Sequence, residues 1–318
     1  MRLATKPGAV VALISALGLG LAACLPQGTA TSTATVGAAD RADARPTSWL
    51  AKPQGDGPFP AVVLMHGCGG TERNTPHQTV WRGLSRHAAL LNEHGYVTLI
   101  VDSFGSRGIT DGCQSGAKYY PLQASDAHAA FDYLAAQPSV DNKRIGFVGL
   151  SLGGGTALQL ALKSSVDYRA KQNRRTYAAL VAYYPWCELV WASSLYRPVL
   201  ILIGAEDDWT PAWRCSTLRK LAENALNEPS LELQVFPNAH HSFDLPMRGP
   251  YLIEGLPGEF HTVQGDDVAR RAAQARMLSF FEKHLGGPVA EETAGDDDVV
   301  AHLALTDMPR FAAVAQAQ

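Results

Sequence analysis

The chain has 318 residues, of which 46% are hydrophobic and 18% are charged, and its formal net charge is −3. This length and balance are typical of a globular protein with a sizeable core, and they exclude the disordered and fibrous classes. The net charge is too close to zero to indicate a basic face for nucleic acid. We therefore expect a small-molecule or polymer substrate and no nucleic-acid partner.

The N-terminus has the features of an export signal. Arg2 and Lys6 precede an apolar run at residues 9–23, which is too short for a stable membrane span. The run ends in small residues before Cys24, and this sequence resembles a bacterial lipoprotein box, whose cysteine becomes lipidated and forms the new N-terminus. We predict a lipoprotein-type signal peptide at 1–23 and a bacterial envelope protein held at a membrane only through the lipid on Cys24. Plain secretion is the alternative.

Two segments outside the central region carry no regular apolar pattern. Residues 24–44 are rich in Thr, Ala, Ser and Gly, which predicts a flexible tether. Residues 287–318 combine an acidic cluster with weakly apolar residues, which predicts a disordered tail. The folded domain is therefore predicted at 45–286.

Within this domain, short apolar runs alternate with stretches of helical spacing. Six strands are predicted, at 61–65, 97–101, 145–148, 180–182, 199–203 and 231–236. Helical spacing is present at 81–91 and 127–134, and a last helix is predicted at 266–285. Strands that alternate with helices pair in parallel through right-handed crossovers. The sequence thus predicts an α/β fold, with a mostly parallel sheet and helices on both faces.

The third predicted strand leads into a Gly-x-Ser-x-Gly motif centred on Ser151, and a helix follows. Gly149 and Gly153 allow a sharp turn and a close approach of helix and strand, which exposes the serine above the sheet. A serine hydroxyl is a poor nucleophile at neutral pH and needs a base that a third group orients. The strand before the motif and the helix after it predict a nucleophile elbow.

Candidates for the base and the orienting acid follow the last two predicted strands. A Gly-x-x-Asp-x-x-x-Pro segment places Asp207 after the fifth strand, and a His-Ser-Phe segment places His241 after the sixth. Both segments lie at the carboxyl ends of strands, where open α/β sheets place their sites. The order serine, acid, histidine is the order that a nucleophile elbow of this kind requires.

Together, these three segments resemble the dienelactone hydrolase family over about residues 49–285. The resemblance implies the α/β-hydrolase fold, no cofactor and no metal ion, with Ser151 as nucleophile, His241 as base and Asp207 as orienting acid. It selects these residues over their neighbours Asp208 and His240, which are predicted to be polar loop residues. Dienelactone hydrolase itself has cysteine at the elbow, so the serine indicates an esterase that cleaves an ester or lactone through an acyl-enzyme intermediate.

Two backbone N–H groups are predicted to form an oxyanion hole. Leu152 directly follows the nucleophile and supplies one donor. The segment His-Gly-Cys-Gly-Gly after the first strand resembles the oxyanion loop of hydrolases, and by that resemblance the N–H of Cys68 is the second donor. His66 is interpreted as a residue that braces this loop. The alternative is that these glycines form only a turn.

Two side chains are further candidates for substrate binding. Arg107 follows the second strand, and an arginine near the corresponding position of dienelactone hydrolase makes it a candidate for binding a substrate carboxylate. An ordinary surface arginine is the alternative. Trp209 is a candidate wall of the acyl pocket, with core packing as the alternative.

Four cysteines remain after Cys24, and an exported chain permits two disulfides among them. We predict the pairs Cys68–Cys113 and Cys187–Cys215, because the first two cysteines follow neighbouring strands and the last two flank the next pair. Metal binding is the weaker alternative, since the chain has no close Cys-x-x-Cys or His-x-x-x-His spacing.

Two other functions are compatible with these motifs. A serine peptidase of the prolyl oligopeptidase type shares the fold and the residue order, but this chain has no room for the large propeller domain. A non-catalytic surface lipoprotein would use the fold as a binding module. All three triad positions hold chemically competent residues, which favours the enzyme. No motif indicates an oligomeric state.

Overall fold

The computed structural model describes residues 44–71, 78–225 and 231–287, together with the backbone of residues 312 and 313. The predicted signal peptide, Cys24 and nearly all of the predicted tether and tail lie outside the described residues. In the described part of the chain, no helix is long and apolar enough to cross a membrane.

A central sheet and a separate hairpin contain the strands. They are β1 (Thr47–Ala51), β2 (Phe59–Met65), β3 (Val97–Asp102), β4 (Val140–Leu150), β5 (Ala179–Tyr183), β6 (Val199–Gly204), β7 (Leu231–Phe236), β8 (Tyr251–Glu254), β9 (Phe260–Val263) and β10 (Ala312–Ala313). The central sheet has eight strands in the order β10-β1-β3-β2-β4-β5-β6-β7, and β8 pairs with β9 alone. All neighbours from β3 to β7 are parallel, whereas β1 is antiparallel to β3. This confirms the predicted mostly parallel sheet.

In the described ranges, six α-helices connect or follow the strands. They are α1 (Thr79–Glu93), α2 (Tyr120–Ala135), α3 (Leu152–Leu160), α4 (Lys163–Ala170), α5 (Ala212–Ala225) and α6 (Asp267–Leu285). Short 3-10 turns lie at Gly105–Arg107, Cys113–Tyr119 and Leu189–Ser194. The helix after the elbow begins at Leu152, directly after the candidate nucleophile.

Helices cover both faces of the sheet, as neighbouring residues of β4 demonstrate. Gly146 faces α6, where an added Cβ would lie 2.8 Å from the ring of Phe281. The ring of Phe147 lies 5.2 Å from that of Tyr177, which in turn lies 5.2 Å from the ring of Phe131 on α2. Successive side chains of a strand point to opposite faces. Consequently α2 and α6 lie on opposite sides of the sheet, and the predicted α/β architecture is confirmed.

Both predicted disulfides are present. Cys68–Cys113 joins the loop after β2 to the 3-10 turn that begins at Cys113, and Cys187–Cys215 joins the loop after β5 to α5. The paired cysteines are 45 and 28 residues apart in the sequence. Each crosslink of this kind stabilises a fold by about 2–4 kcal/mol, mainly because it restricts the unfolded chain.

Within the predicted domain, two strand regions differ from the sequence-based expectation. The strand β1 was not predicted, because Trp49 and Leu50 are its only large apolar residues and give too short a periodic signal. The β8–β9 hairpin is likewise not among the six predicted strands. All four residues of β8 are exposed, so no burial pattern marks this strand in the sequence.

Candidate active site

Ser151 lies on the sharp turn between β4 and α3. Its φ of 52° and ψ of −109° belong to a conformation that residues other than glycine rarely adopt. The N–H of Ser151 donates to the carbonyl of Tyr183 at 2.9 Å, and its own carbonyl accepts from the N–H of Gly155 at 2.9 Å. These bonds hold the strained backbone in the geometry of a nucleophile elbow.

The glycines of the elbow are required by close backbone contacts. A Cβ added to Gly149 would lie 1.9 Å from the carbonyl oxygen of Gly153, which nothing in the turn can accommodate. A Cβ on Gly153 would lie 2.7 Å from the carbonyl oxygen of Met65 in β2. The motif therefore has glycine two residues before and two residues after the serine, because the backbone contacts there leave no space for side chains.

His241 lies between Ser151 and Asp207. Its Nε2 is 3.0 Å from the Oγ of Ser151, and its Nδ1 is 2.8 Å from the Oδ2 of Asp207. The histidine is 2% exposed and the aspartate 4%, so solvent does not compete with these contacts. With the carboxylate on one side, Nδ1 carries the proton and Nε2 is left to accept the proton of the serine hydroxyl.

Further donors hold the carboxylate of Asp207. The N–H groups of Trp209 and Thr210 donate to its Oδ1 at 3.0 and 2.7 Å. The Oγ1 of Thr210 lies 2.9 Å from Oδ2 and 3.1 Å from the carbonyl oxygen of Tyr184. Thr210 is not among the site residues predicted from the sequence. An aspartate followed three residues later by a threonine is typical of an Asx turn, and that signal was available.

The neighbours of the acid and the base point elsewhere. The Oδ1 of Asp208 accepts from the N–H of Thr262 at 2.9 Å. The Nδ1 of His240 lies 3.0 Å from the carbonyl oxygen of Glu206. The structure therefore brings Asp207 and His241 to Ser151, and their neighbours occupy the polar loop positions that the sequence predicted for them.

The two predicted oxyanion donors lie next to Ser151. Leu152 is the first residue of α3, so its N–H has no acceptor within the helix. Gly67 precedes Cys68 and passes so close to Ser151 that an added Cβ would lie 3.1 Å from the serine Cβ. Among the described residues, neither N–H donates to a protein acceptor. This arrangement leaves both groups available to an oxygen of a bound substrate.

His66 orients the peptide that carries the Cys68 N–H. The Nε2 of His66 accepts from the N–H of Ser103 at 3.0 Å, so the proton lies on Nδ1, which donates to the carbonyl of Gly67 at 2.6 Å. Burial lowers the pKa of His66, which keeps the ring neutral as this pattern requires. The carbonyl of Gly67 and the N–H of Cys68 point in opposite directions across one trans peptide. The amide is thereby directed away from the histidine.

Arg107 has a buried protein partner. Its guanidinium donates to both carboxylate oxygens of Asp126 at 2.7 and 2.9 Å and to the carbonyl of Ser103 at 2.6 Å. The residue is 6% exposed, and a buried guanidinium requires such a carboxylate. The prediction that Arg107 binds a substrate carboxylate is therefore not supported, because Asp126 already occupies this side chain.

Trp209 forms a wall beside His241. The two ring centroids are 5.0 Å apart. On its other side, Trp209 stacks on His261 at 4.9 Å with an interplanar angle of 10°. The indole is partly exposed, so it extends from the base toward solvent. This position agrees with the predicted pocket wall.

Comparison with known proteins identifies a family. The family model described as the dienelactone hydrolase family matches residues 47–285. An uncharacterized protein of Mycobacterium tuberculosis is 27% identical over 222 residues, which cover 65% of this chain and 72% of that protein.

Two solved structures show the same fold. A dienelactone hydrolase-like promiscuous phosphotriesterase from metagenomic libraries has a TM-score of 0.54 and 21% identity, and the match covers 76% of this chain and 97% of that one. Esterase 2 of Thermogutta terrifontis, phosphorylated by paraoxon, has a TM-score of 0.55 and 16% identity, with coverage of 77% and 90%. Since the family model spans nearly the whole described domain, the chain belongs to the dienelactone hydrolase family and is a hydrolase.

Proposed function

We propose that the protein is a serine hydrolase that cleaves an ester or lactone through an acyl-enzyme intermediate. One observation carries this proposal: the Nε2 of His241 lies 3.0 Å from the Oγ of Ser151, while Asp207 contacts the opposite nitrogen at 2.8 Å. A nucleophile, a base and an orienting group within hydrogen-bond distance are the parts that acyl transfer needs.

The first half of the reaction forms the acyl-enzyme. As the Oγ of Ser151 attacks the carbonyl carbon, His241 accepts the hydroxyl proton, and Asp207 stabilises the resulting imidazolium. The carbonyl oxygen becomes an oxyanion that accepts hydrogen bonds from the N–H groups of Leu152 and Cys68. A single such donor typically stabilises the transition state by about 3 kcal/mol. When the intermediate collapses, His241 returns the proton to the leaving alcohol oxygen.

The second half releases the product. A water molecule attacks the acyl carbon while His241 accepts its proton, and the bond to the Oγ of Ser151 breaks as the histidine protonates that oxygen. A simple ester yields an acid and an alcohol. A lactone yields one hydroxy acid, because its leaving alcohol stays attached to the acyl group.

The test combines active-site labelling with turnover. Wild-type protein is incubated with a fluorophosphonate probe and, separately, with p-nitrophenyl butyrate. We expect labelling and turnover in the wild type, neither in Ser151→Ala, and both in the matched control His240→Ala, which changes the neighbouring histidine. An unlabelled and inactive wild type would contradict the proposal and favour a binding module. Cleavage of p-nitroanilides but not of esters would favour a peptidase.

The lipid anchor forms a second part of this proposal and is supported by the sequence around Cys24. The full chain is expressed in bacteria that are fed an alkyne-tagged fatty acid. We expect the wild type to be labelled and to sediment with membranes, and Cys24→Ser to be unlabelled. An unlabelled wild type in the soluble fraction would indicate plain secretion.

A further inference from the structure

The β8–β9 hairpin exposes an unusual amount of apolar surface. Five of its large apolar side chains are between 40% and 66% exposed: Tyr251, Leu252, Ile253, Leu256 and Phe260. Contiguous apolar surface on a folded protein commonly marks a binding site. The hairpin is therefore a candidate binding surface, and its two faces have to be considered separately.

The strand register divides the hairpin into two faces. Tyr251 pairs with Val263, and Ile253 pairs with His261. Because directly opposite residues of an antiparallel pair lie on the same side, these four form one face, here called the inner face. The outer face carries the alternate residues Leu252, Glu254, Phe260 and Thr262.

The inner face continues directly from the catalytic candidates. Val263 forms a β-bridge with His241, and the N–H of Gln264 donates to the carbonyl of His241 at 3.1 Å. His261 stacks on Trp209 at 4.9 Å, and Trp209 lies beside His241. Ile253 and Tyr251 are the next exposed side chains on the same surface. An apolar chain that leaves Ser151 along Trp209 therefore reaches the inner face next.

We propose that the inner face of the hairpin binds the long apolar chain of an ester substrate, with Tyr251 and Ile253 as specificity-determining residues. This inference rests on the proposed function and specifies its substrate class. The chain passes Trp209 before it contacts the hairpin, so only substrates of sufficient length gain from these residues. Short esters are cleaved without them.

The distribution of charge favours a substrate chain over a membrane surface. No acidic or basic side chain lies on the inner face apart from the His261 imidazole. The carboxylates of Glu254 and Glu259 lie at the end of the hairpin, where they would repel an anionic lipid surface. The apolar side chains of the inner face are instead aligned with the wall of the candidate site.

The experiment compares chain lengths in matched variants. We measure kcat/KM for p-nitrophenyl butyrate and octanoate, and for butyl and octyl acetate, below the concentration at which micelles form. The first pair places the variable chain on the acyl side, and the second places it on the alcohol side. The variants are Ile253→Ser on the inner face and Leu252→Ser, its neighbour on the outer face. Both positions are exposed, and thermal unfolding checks the fold of each variant.

In each series we divide kcat/KM for the eight-carbon chain by kcat/KM for the four-carbon chain. We expect this ratio to fall about tenfold in Ile253→Ser in one of the two series, and to keep the wild-type value in Leu252→Ser. A ratio unaffected by Ile253→Ser in both series would overturn the inference, as would an equal fall in Leu252→Ser. Failure of the proposed function is distinguishable, because butyrate would then not be cleaved and Ser151 would not be labelled in the wild type.

Discussion

Among the described residues, two buried histidines lie within hydrogen-bond distance of a buried carboxylate, and the two pairs differ in what surrounds them. In the first, the Nδ1 of His241 is 2.8 Å from Asp207, and the other ring nitrogen is 3.0 Å from Ser151. In the second, the Nε2 of His87 is 2.7 Å from Asp244. The Nδ1 of His87 has no hydrogen-bond partner among the described residues. The nitrogen-to-oxygen distance and the burial are similar in the two pairs, yet only His241 contacts a hydroxyl on a strained turn.

Tyr184 connects the two pairs. Its hydroxyl donates to Asp244 at 2.6 Å, and its ring lies 4.5 Å from that of His241. Burial raises the pKa of Tyr184 well above its ordinary value, which keeps the hydroxyl protonated as a donor. The second pair thus holds Tyr184 in place, and the ring of Tyr184 packs against His241. The comparison indicates that reactivity comes from the position of Ser151 and that a buried histidine–carboxylate pair by itself is structural.

The largest expected effect is the difference in activity between the two histidines. His241→Ala removes the base, so kcat for p-nitrophenyl butyrate should fall by roughly four orders of magnitude or more. His87→Leu should keep kcat within about tenfold of the wild type, because His87 accepts no proton from the serine. A folded His87→Leu protein with activity as low as that of His241→Ala would break the distinction between the pairs.

The second pair, His87 and Asp244, is expected to contribute to stability rather than to activity. His87→Leu leaves the carboxylate of Asp244 buried, with Tyr184 as its remaining hydrogen-bond partner among the residues that the structure describes. Breaking a buried pair in this way costs about 3 kcal/mol of unfolding free energy. Denaturant unfolding followed by circular dichroism measures this loss. Lys163→Ala, which removes an exposed pair with Asp167, is the control and should cause no measurable change. Equal stability of His87→Leu and wild type would show that the pair is not structural.

These pairs also show what the sequence could predict. Ser151, Asp207 and His241 each lie in the turn or loop that follows a strand with a clear apolar pattern, so local signals place them at the same edge of the sheet. The His87–Asp244 pair joins residues 157 positions apart, and neither lies in a motif. Only the folded packing of α1 against the loop after His241 brings them together.

Arg107 and the β8–β9 hairpin were misjudged for related physical reasons. An arginine after a strand looks available for a ligand until the position of Asp126 on α2 is known. The hairpin has exposed apolar residues on both faces, so neither alternation nor a continuous buried run marks it as a strand. Both cases depend on tertiary neighbours, which no local pattern contains.

A smaller effect is expected at Thr210, whose hydroxyl contacts the carboxylate of the reactive pair. Thr210→Val keeps the shape but removes the hydroxyl that contacts the carboxylate of Asp207 and the carbonyl of Tyr184. We expect kcat to fall about tenfold with little change in KM, because the loss of one hydrogen bond leaves the acid less well oriented. Thr210→Ser should restore most of the rate. A rate in Thr210→Val equal to wild type would show that the backbone donors to Asp207 suffice.

The smallest expected effect concerns His128 on α2, a mostly buried histidine whose Nδ1 has no hydrogen-bond partner among the described residues. Burial and, to a smaller extent, the charge of Arg169 lower its pKa to about 4, and Asp132 opposes them less strongly. Below pH 6.5 the unfolded chain therefore binds a proton that the folded chain does not bind until about pH 4. The contribution of His128 to the unfolding free energy therefore decreases as the pH falls through this window. His128→Leu should reduce that decrease by about 1 kcal/mol, after allowance for partial solvent screening. An unchanged pH slope of unfolding in His128→Leu would mean that this histidine gains its proton in the folded state, and that partial burial does not keep it neutral.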